Sequence, residues 1–155
     1  MELRKYKSED CVALAELFFN TIHSINARDY TKPQLDAWAT GNVDISVWNK
    51  SFLAHNTVVA EINRVIVGFG DMDDTGYLDK LFVHKDYQGK GVAAAIINKL
   101  EQQAGLNNIS LFTTHASITA KPFFEKYGYR VIQENLVVRN DIKLTNFIME
   151  KSMMK

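Results

Sequence analysis

Residues 77–104 read YLDKLFVHKDYQGKGVAAAIINKLEQQA, and the rest of the chain is organised around them. They begin with a strand pattern over residues 77–83, continue through a loop in which Gly89 and Gly91 flank Lys90, and end in a helix pattern. A loop of this kind at a helix N-terminus presents backbone N–H groups and the positive end of the helix dipole. The sequence therefore predicts an anion-binding site, and we expect a phosphate as its ligand.

The elements before this stretch are predicted from apolar periodicity and turn residues. We expect Ser8 to cap the first helix, Val12 to lie on the apolar face of that helix, and Thr31 with Pro33 to open the second helix. Asn63 and Arg64 are typical of a tight hairpin turn. One strand, three helices and the two hairpin strands are predicted at residues 2–6, 9–25, 31–38, 44–53, 57–62 and 65–72.

After the opening stretch the pattern continues with a strand, a helix and a final strand pair. We expect the helix over residues 91–104 to stop at Gly105, and the strand after it to run parallel to residues 77–83. The remaining elements are predicted at residues 108–114, 119–127, 130–138 and 142–149. The layout predicts an α+β fold: a mixed, mostly antiparallel sheet of about seven strands with helices on both faces. At 155 residues we expect one domain, spanning 1–155.

Composition limits the partners of the chain. Eighteen Lys and Arg balance eighteen Asp and Glu, so we expect neither nucleic acid nor an anionic membrane as a partner. Cys11 is the single cysteine, which excludes an internal disulfide and a cysteine-based zinc cage. The chain is charged from its second residue and contains no apolar run near the roughly 18 residues of a spanning helix. A cytoplasmic protein without a metal is the expectation.

Two nucleotide-binding motifs compete for the glycine loop. A P-loop is excluded, because Gly91 rather than a Ser or Thr follows Lys90 and no hydroxyl is placed for magnesium. Gly89, Gly91 and Ala94 do satisfy the dinucleotide pattern G-x-G-x-x-A. However, three antiparallel-looking strands precede the loop, and the next strand runs into His115 rather than an acid for the ribose. A nicotinamide-binding oxidoreductase domain therefore stays open as a weaker alternative.

Two segments carry a family resemblance. QGKGVA at residues 88–93, preceded by LFVHKDY, resembles the Q/R-x-x-G-x-G/A acyl-CoA signature of the GCN5-related N-acetyltransferase (GNAT) superfamily. SITAKPFFEKYGY at residues 117–129 resembles the later N-x-x-A…Y-E-K-x-G-F segment of that family, and the element order agrees over nearly the whole chain. DYTKPQLDAWAT together with HASITAKPFFEKYGY is similar to the YafP-like branch.

The resemblance implies an N-acetyltransferase that uses acetyl-CoA as co-substrate and needs no metal. In such proteins the glycine loop binds the pyrophosphate, and the preceding strand pairs with the pantetheine arm. Ser117 stands at the position of the family's usual asparagine, and Phe124 at that of its usual tyrosine. The implied cofactor-binding residues are Leu81, Phe82, Val83, Gln88, Gly89, Lys90, Gly91, Val92, Ala93, Ser117 and Phe124.

An acceptor amine arrives protonated, so a base near the opened strand is expected. Strand alternation places Tyr77, Asp79, Leu81 and Val83 on one face, and Asp79 is the first candidate base. The alternative is a structural or solvated carboxylate.

The acid for the leaving thiolate is less well defined, because the family's tyrosine position holds Phe124. Tyr127, one helical turn later, is the candidate, and Tyr77 is a more distant one. Packing at the helix end is the alternative role for Tyr127. The phenylalanine also favours a second functional hypothesis, a catalytically silent acyl-CoA-binding or regulatory module.

The resemblance leaves the acceptor open between a small-molecule amine and a peptide amine. It places Tyr30, Gln34 and Trp38 on the acceptor side and His115 near the opened strands, whereas the other three histidines are expected to be surface or core-edge residues. The final strand pair is a possible homodimer contact, as in some relatives.

Overall fold

The computed structural model describes residues 1–153. Its helices are α1 (Cys11–Ser24), α2 (Lys32–Trp38), α3 (Ile45–Ala54), α4 (Val92–Leu106) and α5 (Lys121–Lys126). Its strands are β1 (Glu2–Lys5), β2 (Asn56–Ile62), β3 (Val65–Met72), β4 (Tyr77–Val83), β5 (Leu111–Ser117), β6 (Arg130–Arg139) and β7 (Ile142–Ser152).

The seven strands form one sheet in the order β1-β2-β3-β4-β5-β7-β6. Only the β4–β5 pair is parallel, and the other five neighbouring pairs are antiparallel. Two hairpins are closed by the two-residue turns Asn63-Arg64 and Asn140-Asp141, in which all four residues have positive φ. This is the turn that suits the twist of paired strands. The predicted mixed, mostly antiparallel seven-stranded fold is confirmed.

Helices cover both faces of the sheet. One core forms where α4 and α5 pack on the sheet and includes Ile96, Leu100, Phe112, Phe124 and Met149. The other forms beneath α1, α2 and α3. Its buried members include Leu14, Phe18, Leu35, Phe52 and Phe69. The sheet therefore lies between two layers of helices. Residues of both layers line a cleft that opens between two of its strands.

Two glycines let α4 lie close to the sheet. A Cβ at Gly68 would stand 2.7 Å from Cγ1 of Val92, and one at Gly70 would stand 2.9 Å from Cγ2 of Ile96. Both separations are shorter than carbon atoms tolerate, so neither β3 position accepts a side chain without displacement of α4. The helix start that carries the glycine loop is thereby fixed against β3.

Two predictions about the first helix are wrong. Ser8 is not its cap, because residues Ser8–Asp10 form a 3-10 turn in which Asp10 accepts the N–H of Lys7 at 2.9 Å. Val12 is 55% exposed, because the buried face of α1 contains its neighbours Cys11 and Leu14 and turns Val12 outward.

The predicted end of α4 at Gly105 is also wrong. The helix continues to Leu106, and Asn108 adopts the positive φ of 64° that ends it. Asparagine tolerates this conformation, so no glycine is needed there. As a result β5 begins at Leu111 rather than at residue 108 and extends to Ser117.

No helix within residues 1–153 is long and apolar enough to cross a bilayer.

Candidate functional site

The parallel pair β4–β5 opens after two residues. Tyr77 pairs with Thr113 and Leu78 with Thr114, and the ladder ends there although both strands continue. On its other side β4 stays paired with β3 up to Val83. The N–H of His84 donates to Val67 O in β3. Successive residues of a strand direct their backbone N–H and C=O groups to opposite sides, so those of Leu81 and Val83 point towards the gap. An extended chain has unpaired backbone to bind there.

The glycine loop lies at one end of this gap. Gly89 and Gly91 have φ of 73° and 79°, and a Cβ on either would meet nothing within 4 Å. Gly91 precedes the first turn of α4, which no side chain of the described residues caps. Gln88 holds the loop to the strand, donating its amide N–H to Val83 O at 2.8 Å. Free N–H groups and open space in front of them suit a bound phosphate.

A cleft of about 740 Å³ connects the loop to the opened strands. Its lining includes Asp79 and Tyr127, and it also includes every predicted cofactor-binding residue except Lys90. Val92 is 2% exposed and belongs to the α4 core, so little of it is open to the cleft. The structure thus brings the separate predicted segments, residues 79–93 and 117–127, into one continuous site.

A β-bulge places Asp79 in the cleft. Asp71 pairs with Lys80 but Met72 pairs with Leu78, so Asp79 is the extra residue. Beyond the bulge, the odd-numbered residues of β4 lie on the opposite face of the sheet, where Leu81 and Val83 pack with the α4 core. The prediction that Tyr77, Asp79, Leu81 and Val83 share a face is therefore wrong.

Asp79 and its neighbour Lys80 form an ion pair inside the cleft. The Nζ of Lys80 lies 3.0 Å from Oδ2 of Asp79, and the two side chains are 20% and 32% exposed. The same Nζ lies 4.8 Å from the centre of the Trp48 ring. An ammonium therefore already occupies a position between a carboxylate and an aromatic face, the combination that binds cations.

Aromatic side chains surround the part of the cleft on the α1–α3 side. Phe82 contacts Phe18 with ring centres 5.0 Å apart, and Trp38 lies 6.4 Å from Phe82 and 5.4 Å from Tyr30. Tyr30 is fixed by two hydrogen bonds: its hydroxyl donates to Thr145 O and accepts from the N–H of Ile118. These contacts give the cleft a rigid apolar wall beside one ion pair. Of the three residues expected here, Gln34 instead donates to Lys143 O outside the cleft.

Tyr77 faces His115 across the point where β4 and β5 separate, with ring centres 5.5 Å apart. Burial, reinforced by the charges of Asp79, Asp71 and Asp73, raises the pKa of Tyr77 to about 12. The phenol therefore keeps its proton near neutral pH, so it is available as a hydrogen-bond donor.

The residues of the segment 117–129 have different roles at the cleft. Ser117 accepts the N–H of Ala120 at 3.0 Å, so its hydroxyl holds the turn before α5. Phe124 is 4% exposed and packs on Tyr129. Tyr127 ends α5 with its ring 4.7 Å from that of Phe123 and borders the cleft.

The sequence patterns did not identify several lining residues, among them Phe18, Thr21, Trp48 and Lys80. The helical spacing of Phe18 and Trp48 indicated ordinary core faces for α1 and α3, and that spacing does not reveal where a face meets a gap in the sheet. A lysine next to a candidate base was the one local signal for Lys80.

Comparisons with known proteins agree with this geometry. A family model described as acetyltransferase (GNAT) domain matches residues 26–151. The chain is 34% identical over 149 residues to the uncharacterized N-acetyltransferase YafP of Escherichia coli K12, covering 96% of this chain and 94% of that protein.

Solved structures give the same result. A GCN5-related N-acetyltransferase from Rhodopseudomonas palustris superposes with a TM-score of 0.93 at 35% identity, covering 97% of this chain and 94% of that one. The PaiA N-acetyltransferase of Thermoplasma acidophilum, solved in complex with coenzyme A, has a TM-score of 0.82 at 17% identity, covering 97% and 98%. At that identity the second likeness shows the fold.

Proposed function

The chain belongs to the acetyltransferase (GNAT) family, and we propose that it transfers the acetyl group of acetyl-CoA to a primary amine that binds beside Asp79. The observation that carries the proposal is the opening of β4 from β5 after Leu78, with the glycine loop at one end of the gap and Asp79 in the same cleft. The neighbour solved with coenzyme A supports the choice of cofactor.

The cofactor would be held mainly by backbone. N–H groups from Gly89 to Ala93 would bind the pyrophosphate at the start of α4. The outward N–H and C=O groups of Leu81 and the N–H of Val83 would pair with the amides of the pantetheine arm. The carbonyl of Val83 already accepts from Thr21 at 2.9 Å and from Gln88. Most of the backbone groups that would pair with the pantetheine arm therefore belong to Leu81.

The transfer would proceed in a ternary complex. Asp79 accepts a proton from the acceptor ammonium, and the neutral amine then attacks the thioester carbon. A backbone N–H of β4 that faces the gap stabilises the oxyanion as it forms. The C–S bond breaks, and the thiolate, whose intrinsic pKa is about 8.5, needs modest help from an acid. Tyr127 is the proposed donor at this step.

Binding of acetyl-CoA against NAD tests the proposal. Ligand at one hundred times its Kd stabilises a folded protein by about 2.7 kcal/mol, which corresponds to about 5–10 °C in Tm for a chain of this size. We expect acetyl-CoA to produce this shift and NAD to produce none. A shift with NAD alone would favour the nicotinamide alternative, which the antiparallel pairing of β1 to β4 already disfavours.

Phe124 at the usual acid position keeps a silent acyl-CoA-binding module as the second candidate function. Release of CoA thiol with a panel of small amines and peptides separates the two. The enzyme releases thiol in proportion to one of these amines, whereas a silent module binds acetyl-CoA and releases none.

We also propose that residues 1–155 form a single cytoplasmic domain that assembles as a homodimer. The apolar side chains of the edge strand β6 support self-association, because Ile132, Leu136 and Val138 are each about half exposed. Light scattering of the purified chain measures this directly. A monomer at every concentration would contradict the dimer.

A further inference from the structure

A cluster of titratable groups lies behind Asp79, outside the lining of the cleft. One ring nitrogen of His55 and one carboxylate oxygen each of Asp71 and Asp79 lie within 4.8 Å of one another. His55 stands at the C-terminal end of α3, Asp71 is in β3, and Asp79 is the bulged residue of β4. Three different elements therefore meet at this point.

Asp71 is placed to hold the imidazole. It is 0% exposed, and its Oδ2 lies 2.8 Å from Nδ1 of His55 while its Oδ1 accepts the N–H of Lys80 at 3.0 Å. Both carboxylate oxygens are thus occupied, and the acceptor beside Nδ1 selects the tautomer that carries its proton there. The His55 side chain is 23% exposed, so it reaches solvent from a fixed orientation.

The electrostatics of the cluster favour proton sharing. Burial raises the pKa of Asp71, and the negative charge of Asp79 adds to this, whereas the His55 hydrogen bond lowers it. Asp73 interacts with His55 from the β3–β4 turn, Tyr77 faces the carboxylates from β4, and Lys80 pairs with Asp79. Five charged or titratable groups of the described residues thus interact with the imidazole or with its carboxylate neighbours: Asp71, Asp73, Tyr77, Asp79 and Lys80.

A carboxylate is by its ordinary pKa a weak base for an ammonium. General bases work best when their pKa lies near the working pH, and imidazole is the side chain whose ordinary range falls there. Asp79 borders the cleft, His55 lies behind it, and one water suffices to bridge a separation of this size.

We propose that His55, oriented by the buried Asp71, is a positioning residue that receives the acceptor's proton from Asp79 and passes it to solvent. The ammonium R–NH3+ loses one proton to Asp79, which passes it through a bridging water to Nε2 of His55, the ring nitrogen that carries no proton, and so regains its charge. The amine then forms the N–C bond, the C–S bond breaks, the thiolate takes the proton of Tyr127, and the second nitrogen proton restores the Tyr127 hydroxyl. The sum is amide, CoA thiol and one proton released to water. This inference rests on the proposed acetyl transfer.

The test compares pH profiles of kcat/KM for the wild type and His55→Gln, with His23→Gln as the matched control. His23 is also partly buried and hydrogen-bonded, but to Ala39 O and away from the cluster. We expect the wild type and the control to show a limb that rises through neutral pH. His55→Gln should lose that limb and at least about tenfold in kcat/KM, with an unchanged Kd for acetyl-CoA. A variant with normal turnover and a normal limb would overturn the inference.

A second arm needs no turnover. The ring signals of His55, assigned by their absence in His55→Gln, are titrated by NMR in the wild type and in Asp79→Asn. Because one ring nitrogen of His55 and one carboxylate oxygen of Asp79 lie within 4.8 Å of each other, loss of the Asp79 charge should move the observed midpoint to lower pH. An unmoved midpoint would overturn the inference even in an active enzyme. Activity that needs a divalent cation and is lost with EDTA would overturn it too, since the cluster would then hold a metal.

Failure of the proposed function looks different. A wild-type chain that shows the NMR coupling but transfers acetyl to no amine would contradict the acetyl transfer itself, and the relay would then have no reaction to serve.

Discussion

Replacing Gly89 by alanine separates the binding role of the glycine loop from its structural role. Gly89 has a φ of 73°, which costs a residue with a Cβ about 1–2 kcal/mol. Nothing lies within 4 Å of the added Cβ, so no packing penalty is added to that strain. A protein of ordinary stability, about 5–15 kcal/mol, remains folded after such a loss. In the proposed binding mode, the methyl group would stand where the pyrophosphate approaches the backbone.

We therefore expect Gly89→Ala to weaken acetyl-CoA binding at least tenfold, about 1.4 kcal/mol, measured by isothermal titration calorimetry. Gly105→Ala is the control. Its Cβ also meets nothing within 4 Å, but it lies in the last turn of α4, so alanine should stabilise the protein by up to about 1 kcal/mol and leave Kd unchanged. Urea unfolding measures both stabilities. Wild-type affinity in Gly89→Ala would refute the assignment of this loop to the pyrophosphate.

Three further predictions concern catalysis, the turn between β3 and β4, and the stability of the protein at acid pH. Asp79→Asn should lower kcat at least tenfold with little change in the Kd for acetyl-CoA, because the base is lost while the cofactor contacts remain. Gly76→Ala should destabilise the protein by at least about 2 kcal/mol in urea unfolding, because Gly76 has a φ of 91° and a Cβ there would overlap Leu111 O. Burial opposes ionisation of Asp10, but its hydrogen bonds with Arg4 at 2.8 and 2.9 Å outweigh this and hold the pKa of the carboxyl below its usual value. Asp10→Asn should therefore cost about 2 kcal/mol near pH 7. This difference should begin to shrink as the pH falls below about 4, where the carboxyl of the unfolded chain takes a proton, and should be lost below the lowered pKa of the native carboxyl.

Each of these predictions has a contradicting result. Unchanged kcat in Asp79→Asn would remove Asp79 from the mechanism, and equal losses in the exposed neighbour Asp74→Asn would point to an unspecific charge effect. A Gly76→Ala protein as stable as the wild type would show that β5 moves freely away from the turn. An Asp10→Asn difference that stays constant from pH 7 to pH 3 would show that the ion pair with Arg4 is not its cause.

The elements that local chemistry determines could be predicted from the sequence. Asn63-Arg64 and Asn140-Asp141 close hairpins because their positions tolerate positive φ, and Thr31 caps α2 by accepting the N–H of Gln34. The glycine loop was identified because Gly89 and Gly91 are needed by the backbone itself. The predicted site segments lie together because one parallel crossover connects them.

The features that tertiary contacts determine could not be predicted. The bulge at Asp79 depends on the carboxylate of Asp71, which takes the N–H of Lys80 and interrupts the regular ladder. No local pattern around residue 79 contains that information. Likewise His55 follows a helix as an ordinary surface histidine would, and its partner Asp71 is sixteen residues away in another element.

Amine-dependent release of CoA thiol, with the product identified by mass spectrometry, tests the central claim most directly. We expect the purified chain to release thiol only when a suitable primary amine is present. The amine should gain one acetyl group for each thiol released, and Asp79→Asn should slow both. Thiol release that does not depend on any amine, or an acetyl group that stays on the protein, would contradict direct transfer in a ternary complex.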